Sequence, residues 1–263
     1  MLDRSRPIQL LALLILISAY TFGQGPIEDN SFLIEEAYNQ EKGVIQYINT
    51  FYHERNGNWG YSFTNEMPIK RQVHQFSYAI NLSRVGGTVR FGDTYVNYRY
   101  QAKGLKPEDR VAMAFRFSAI LPTGSYRNET GWGALGFQFN FATSIKLSKY
   151  FVTHWNTGWT YLPRARNRLG ERSNVKGLNL GQSTVFLMKR NFNIFTETVW
   201  NRLDRIDGPG RSVPDYSLLL NPGIRWAWNF KNGLQIVPGI SMPIGLGPSN
   251  RNYGNIFYLS FEK

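Results

Sequence analysis

The sequence has no cysteine and only three histidines, His53, His74 and His154, which lie far apart along the chain. Without cysteine there can be no disulfide framework, no thiolate metal site and no acylated lipoprotein terminus. The histidine spacing matches no ligand motif, so neither a metal nor a cofactor is expected. Gly-rich phosphate loops are missing as well: Gly86-Gly87 and Asp207-Gly208-Pro209-Gly210 read as turn and loop glycines. Long apolar runs are scarce, and a mean hydropathy of −0.35 excludes an ordinary helical membrane protein. The one such run, Ile8–Ala19, follows Arg4 and Arg6 and is too short to span comfortably as a helix. With the small-residue end Thr21-Phe22-Gly23 it reads as a secretory signal peptide over residues 1–23, cleaved near Gly23; the alternative is a retained N-terminal anchor. Acidic residues are few, 18 against 30 Lys and Arg, for a formal charge of +12. In an exported chain with scattered basic residues this does not point to nucleic acid. The nearest thing to a cluster, Arg164, Arg166, Arg168 and Arg172, suits an outer-membrane lipid or lipopolysaccharide partner.

What the chain does have is a period of two. In Trp132–Leu147, the residues Leu135, Phe137, Phe139, Phe141, Thr143, Ile145 and Leu147 alternate with Gly136, Gln138, Asn140, Ala142, Ser144 and Lys146. One set lies on one face of a strand and the other set on the opposite face. A polar face carrying Gln138, Asn140 and Lys146 is unsuited to an ordinary core. It fits a strand with lipid on one side and a polar lumen on the other. The pattern recurs and predicts twelve strands at 44–54, 59–69, 75–83, 89–101, 110–121, 134–147, 150–162, 177–188, 193–203, 215–230, 234–242 and 252–261. The registers at 44–54, 177–188 and 193–203 are less clean, because Val185, Leu187, Phe195 and Val199 fall on the nominal lumen face. The fold expected is all-β: an antiparallel transmembrane barrel of about 12 strands, of bacterial outer-membrane type, over residues 44–263.

The connections agree with this. Those near Ser148-Lys149, Lys189–Asn191 and Lys231-Asn232-Gly233 are short, as periplasmic turns are. Those over 122–133, 163–176, 204–214 and 243–251 read as long extracellular loops; Ala102–Asp109 is long on the side that should be tight. Trp132, Tyr161, Trp200, Tyr216 and Tyr253 would mark the outer interface, and Tyr100, Tyr150, Phe230 and Phe261 the inner one. The final strand places Phe257, Leu259 and Phe261 on one face after Asn252 and Gly254. This resembles the signal read by the barrel-assembly machinery, an expected partner in biogenesis, although the chain ends in Lys263.

Ahead of the barrel lies an acidic leader, residues 24–43, containing Glu28, Asp29, Glu35, Glu36 and Glu41. Ser31 or Asp29 is placed to cap a short helix over Phe32–Asn39. The leader is either a solvated segment or a plug whose Glu35 and Glu36 meet lumen arginines. The candidate lumen-lining set is Arg99, Arg110, Arg116, Gln138, Asn140, Lys146, His154, Asn156, Glu197, Asn201, Arg225 and Asn229.

Several stretches together carry a family resemblance: Ser31–Glu41 with Gly43-Val44-Ile45-Gln46, Asn97–Gln101, Leu121-Pro122-Thr123-Gly124, His154-Trp155-Asn156 and the closing Phe257–Glu262. These resemble the outer-membrane transporter family labelled "MetA-pathway of phenol degradation". The resemblance covers nearly all of the mature chain. It implies an outer-membrane barrel linked to uptake of aromatic or other hydrophobic compounds, with no catalytic residues to carry over.

Catalysis is not expected. Outer-membrane phospholipase A pairs a His with a Ser two residues away, and at His154-Trp155-Asn156 that second position is an amide, which imidazole cannot activate. A barrel of this size lies between a filled interior and an open pore. The reading is therefore a channel for passive uptake of small solutes, aromatic or hydrophobic ones among them, with an electropositive wall. The alternative is a non-conducting structural or interaction barrel with basic extracellular loops.

Overall fold

The structure, a computed structural model, describes residues 31–106, 108–250 and 252–263. The signal peptide expected over residues 1–23 and residues 24–30 of the leader, including Glu28 and Asp29, lie outside the described residues.

The strands are β1 Gln46–Glu54, β2 Trp59–Lys70, β3 His74–Val85, β4 Thr88–Phe91, β5 Thr94–Lys103, β6 Val111–Leu121, β7 Gly136–Lys146 and β8 Phe151–Arg166. They continue as β9 Arg172–Lys189, β10 Phe192–Gly208, β11 Arg211–Trp226, β12 Trp228–Asn229, β13 Gln235–Ser241, β14 Ile244–Gly245 and β15 Gly254–Glu262. Consecutive long strands pair antiparallel from β1 round to β11, and the short β4, β12 and β14 continue the lines of β5, β11 and β13 across one- or two-residue interruptions. Closure comes from the end of the chain: β13 pairs with β11 at Ile224↔Ile240, and β15 pairs with β13 on one side and with β1 on the other. The result is a closed twelve-stranded antiparallel barrel. Closure removes every free edge, which a β-structure in hydrocarbon requires because no water is there to satisfy backbone groups.

The alternation sorts as expected. Phe117, Phe137, Trp155, Trp159, Leu178, Leu180, Ile240 and Phe257 are exposed on the outer surface, while Asn97, Arg99, Asn140, Asn156, Glu197 and Arg225 are buried inside. Cross-strand aromatic contacts such as Phe115–Phe141, 4.9 Å between ring centroids, stitch the outer face, each contributing on the order of 0.5–1.5 kcal/mol. In the weaker registers, Val185 and Phe195 are buried at 1 % exposure, in the interior where their alternation places them.

Several expectations change. Residues 163–176 and 204–214 are largely strand: β8 and β9 enclose only residues 167–171, and β10 and β11 only residues 209–210. These strands, 16 to 18 residues long, exceed the roughly 9–11 residues a tilted spanning strand needs. They project beyond the membrane because they carry their own core, in which Ile120, Leu162, Ala165, Val175 and Ile206 are buried together. Gly, Pro and Arg there suit a loop by composition, but Pro163 and Arg164 are taken up in a bulge between Leu162 and Ala165, with Arg164 at φ 54°. Trp132 belongs to that interior cluster and not to an outer girdle. The strand expected over 89–101 is present with an interruption: β4 and β5 both run along β3, from the turn at Gly86-Gly87, and a one-residue register shift at Gly92-Asp93 separates them. There the Asp93 carboxylate accepts N–H bonds from Gly124 (2.9 Å) and Trp132 (2.8 Å), and Thr123 Oγ1 donates to Gly92 O (2.9 Å), so the Leu121–Gly124 corner clamps the outer rim. The connection after β5 is closed by Gln101 Nε2 donating to Gly104 O at 2.8 Å.

Candidate functional site

The leader is neither helical nor outside the barrel. Residues 31–40 form no helix and cross the interior as an irregular chain, with Ser31, Ile34, Glu36, Ala37, Asn39 and Gln40 all buried. A helix would bond its amides internally; here barrel side chains take them. Glu197 Oε1 accepts the N–H groups of Leu33 and Ile34, each at 2.8 Å. Asn156 Oδ1 accepts that of Glu35 (2.9 Å), Ser144 Oγ that of Ala37 (2.9 Å), Gln101 Oε1 that of Asn39 (2.8 Å) and Gln75 Oε1 that of Gln40 (2.7 Å). Asn156 Nδ2 returns a bond to Glu35 O (2.8 Å), and Ser31 and Ser183 share hydroxyls at 2.9 Å. Buried amides need partners, so this ladder settles the leader's path. Close approach needs missing side chains in the wall: a Cβ on Gly181 would overlap Ile34 Cδ1, and one on Gly239 would overlap the Phe32 ring. Phe32 stacks on Tyr258 at 4.6 Å and meets Phe195 edge-on at 4.7 Å. Ala37 packs among Ala112, Ala114 and Ala142.

The charges follow the same path. The β5–β6 register sets Arg99 directly opposite Arg116, a like-charge pair that would repel if left alone. The leader supplies the counter-charge: Arg116 Nε donates to both Glu35 carboxylate oxygens at 2.8 and 3.0 Å, and Arg99 donates to the Glu36 carbonyl. Arg116 also donates to Asn97, Ser118 and Gln138. Burial by itself would raise the Glu35 pKa; Arg116 and Arg99, with hydrogen bonds from Arg116 and Asn140, outweigh it and hold the carboxyl below its ordinary value. One turn of the path further, Glu36 Oε1 lies 3.2 Å from Arg225 Nη2 and 3.6 Å from His154 Nε2.

His154 also has a serine beside it after all, supplied by the neighbouring strand. The β7–β8 register sets Ser144 opposite His154, with Ser144 Oγ 2.8 Å from Nδ1. Serine, histidine and glutamate thus stand in the order of a hydrolytic triad. The serine oxygen is fully buried and already accepts the Ala37 N–H, so in this arrangement Ser144 and His154 hold the leader, to which Glu36 itself belongs.

Of the residues singled out from sequence, Arg99, Arg116, Asn140, His154, Asn156, Glu197 and Arg225 converge on the leader. Gln138 joins them through Arg116. Lys146 lies over the Tyr38 ring at 5.9 Å. Asn229 is buried, but bonds to Asn191 and Gln235 at the end where the termini lie. Arg110 is a correction: it precedes β6 and is exposed, outside the buried interior set. Sequence reasoning missed Gln75, Gln101, Ser144, Ser183 and Asn221. All five sit on interior faces and bond the leader or Glu197. Their only signal was the polar phase of the alternation, which does not separate a residue bonding its strand neighbour from one bonding a segment across the lumen.

Above the leader opens a cup of about 930 Å³, floored by Leu33, Ile34 and Glu35, with Tyr95, Trp132 and Arg116 in its wall. A second cavity of about 350 Å³ shares that floor and lies against Thr50, Ser62, Thr64 and Ser77 of β1 to β3. A third, about 250 Å³, reaches Glu36, Tyr38, Lys146 and Arg225.

The fold is that of outer-membrane β-barrel porins. No family model and no curated protein matches the chain. Solved structures do, among them an outer-membrane channel from Pseudomonas putida F1 with a TM-score of 0.65, 10% identity, and coverage of 92% of this chain and 99% of that one. The NanC porin matches with a TM-score of 0.54 at 9% identity over 82% of this chain and 98% of its own. The KdgM porin matches with a TM-score of 0.54 at 10% identity over 83% of this chain and 97% of its own.

Proposed function

We propose that this barrel is a narrow outer-membrane channel for passive uptake of small amphipathic solutes, aromatic ones included, and that residues 31–40 set its opening. The observation carrying this reading is how the leader is held. It contributes no strand to the barrel; side chains bind it, so it can shift without breaking a strand pair. The cup joins aromatic groups, Tyr95, Tyr126 and Trp132, to the guanidinium group of Arg166, a lining matched to a ring bearing an anionic group. Arg116 and Arg225 are engaged by the leader, which offsets the electropositive wall, and the free space beside the leader lies between Arg99 and Arg116 on one side and the small hydroxyl side chains of β1 to β3 on the other. The porin-like architecture and the family resemblance are in keeping with transport. Export through the signal peptide at 1–23 and recognition of β15 by the barrel-assembly machinery belong to the same reading. The filled interior favours one second reading, a non-conducting structural barrel.

The chain has no cysteine, and the Ser31 and Ser183 hydroxyls are 2.9 Å apart. The double variant Ser31→Cys/Ser183→Cys therefore creates a reducible tether. Flux of an aromatic acid and of a sugar of similar size is measured into proteoliposomes holding the folded variant. Reduced protein should pass the aromatic acid faster than the sugar, and oxidation should slow both several-fold. Equal flux of both solutes would indicate a general pore. Equal flux in both redox states would remove the leader from gating, and no flux in either state would establish the non-conducting barrel.

A further inference from the structure

A second site lies on the outside of the barrel, on the outward face of β8 to β11 where these strands leave the membrane. Its geometry is layered. On β9 the side chains alternate cleanly: Ser173, Val175 and Gly177 are buried, while Arg172, Asn174, Lys176, Leu178 and Leu180 are exposed. The strand pairs Leu180 with Thr157 and Trp200, Leu178 with Trp159 and Arg202, and Lys176 with Tyr161. Ascending from the membrane, the surface passes from leucine and tryptophan through tyrosine to lysine and arginine within six residues. Above the tyrosine the face carries a depression of about 620 Å³ lined by Arg164, Arg172, Lys176, Arg202, Asn174 and Ser212.

The charge there is unbalanced. Asp204 is the one carboxylate in the lining, and it is taken by Arg202 at 3.0 Å and by the Lys176 backbone N–H at 3.2 Å. The side chains of Arg164, Arg172 and Lys176 have no ion pair or hydrogen bond among the described residues. Three uncompensated cations on one rigid sheet face, directly above an apolar belt, call for a ligand with several negative charges on an acyl-bearing body. A soluble anion has no use for the leucines, and a neutral lipid has none for the arginines. Guanidinium groups hold phosphate oxygens in a bidentate geometry, and interfacial aromatics sit where head group meets chain. We propose that this face binds a phosphorylated glycolipid of the outer leaflet, the lipid A portion of lipopolysaccharide. Its phosphates would lie against Arg164, Arg172 and Lys176, and its acyl chains along Leu178, Leu180 and Trp159.

The site is remote from the leader, so binding can be read without reference to flux. Full-length folded barrel in neutral detergent is titrated with bisphosphorylated lipid A, monophosphorylated lipid A, phosphatidylglycerol and inorganic phosphate. The variants are Arg164→Ala/Arg172→Ala/Lys176→Ala and, as a control, Arg84→Ala/Arg90→Ala, which removes two other exposed arginines. Heat-modifiable gel mobility verifies folding of each. Wild type and control should bind bisphosphorylated lipid A alike, at least tenfold more tightly than the triple variant does, with the monophosphorylated form weaker. Equal affinity of wild type and triple variant would overturn the proposal. So would phosphatidylglycerol binding as tightly as lipid A, or inorganic phosphate competing at equal concentration, since either would mean a general anion site.

Discussion

Neutralising Glu36 should free the leader while leaving the barrel intact. Glu36 is 4% exposed and Arg225 is 1% exposed, with Oε1 3.2 Å from Nη2 and His154 Nε2 a further 3.6 Å neighbour. Glu36→Gln keeps the size and an acceptor oxygen and removes the charge. Removing one partner of a buried ion pair costs about 3–5 kcal/mol, because the other charge stays in a poor solvent. The retained acceptor places this change at the low end, about 3 kcal/mol, which is roughly a hundredfold in an equilibrium constant. The loss falls on leader docking, because the pairing of β11 with β10 and β13 does not involve Glu36. Ser31→Cys, at a position 3% exposed, reports docking by its rate of reaction with an impermeant maleimide. When the leader opens and closes faster than it reacts, that rate follows the undocked population. The Glu36→Gln background should therefore label about a hundredfold faster than Ser31→Cys alone. Adding Arg225→Gln should return the rate part of the way, since the buried guanidinium that faced Glu36 is then removed as well. Labelling of Glu36→Gln at the unaltered rate would refute the reasoning and leave the leader held by its amide ladder and by Phe32 and Ile34.

Gly181→Val tests the apolar side of the same docking. Its added carbons would occupy the place of Ile34 Cδ1, while valine suits an extended strand, so Ser31→Cys labelling and flux should both rise several-fold with heat-modifiable mobility unchanged; unaltered labelling would mean that Ile34 can be displaced without cost. Glu35 predicts a pH response. A carboxyl held below its ordinary pKa of 4.5 stabilises docking fully above that value and loses the contribution as pH falls through its lowered one. Labelling should stay slow in neutral and mildly acidic buffer and quicken only below pH 4.5, and Glu35→Gln should abolish that step; a rise near neutrality would assign the response to another group.

The legible parts of this chain are those set by neighbours in sequence. Alternation such as Phe137, Phe139, Phe141 against Gln138, Asn140, Ala142 depends only on strand geometry, so strand number, inward polar residues and the short turns at 148–149 and 189–191 followed from it. Local composition misled where long-range packing decided. Residues 163–176 carry loop-like glycine, proline and arginine, yet Leu162, Ala165 and Val175 gain a buried cluster by pairing. Ser31 stood where a helix cap would, but in the interior its hydroxyl meets Ser183. Along its own strand His154 is followed by Asn156, while the serine at its side arrives from the adjacent strand by register.

The sequence by itself thus determined that this chain alternates, that it repeats the alternation often enough to close, and that an acidic segment precedes a set of inward arginines. A period of two is a property of each strand and needs no partner to be read. Only the tertiary structure decided which groups meet: Glu35 with Arg116, Glu36 with Arg225 and His154, the leader's amides with Glu197, Asn156, Ser144, Gln101 and Gln75. Those pairings join residues up to 189 positions apart. They exist because closing the sheet brings every inward face to one lumen, where buried charges and amides must find partners in each other.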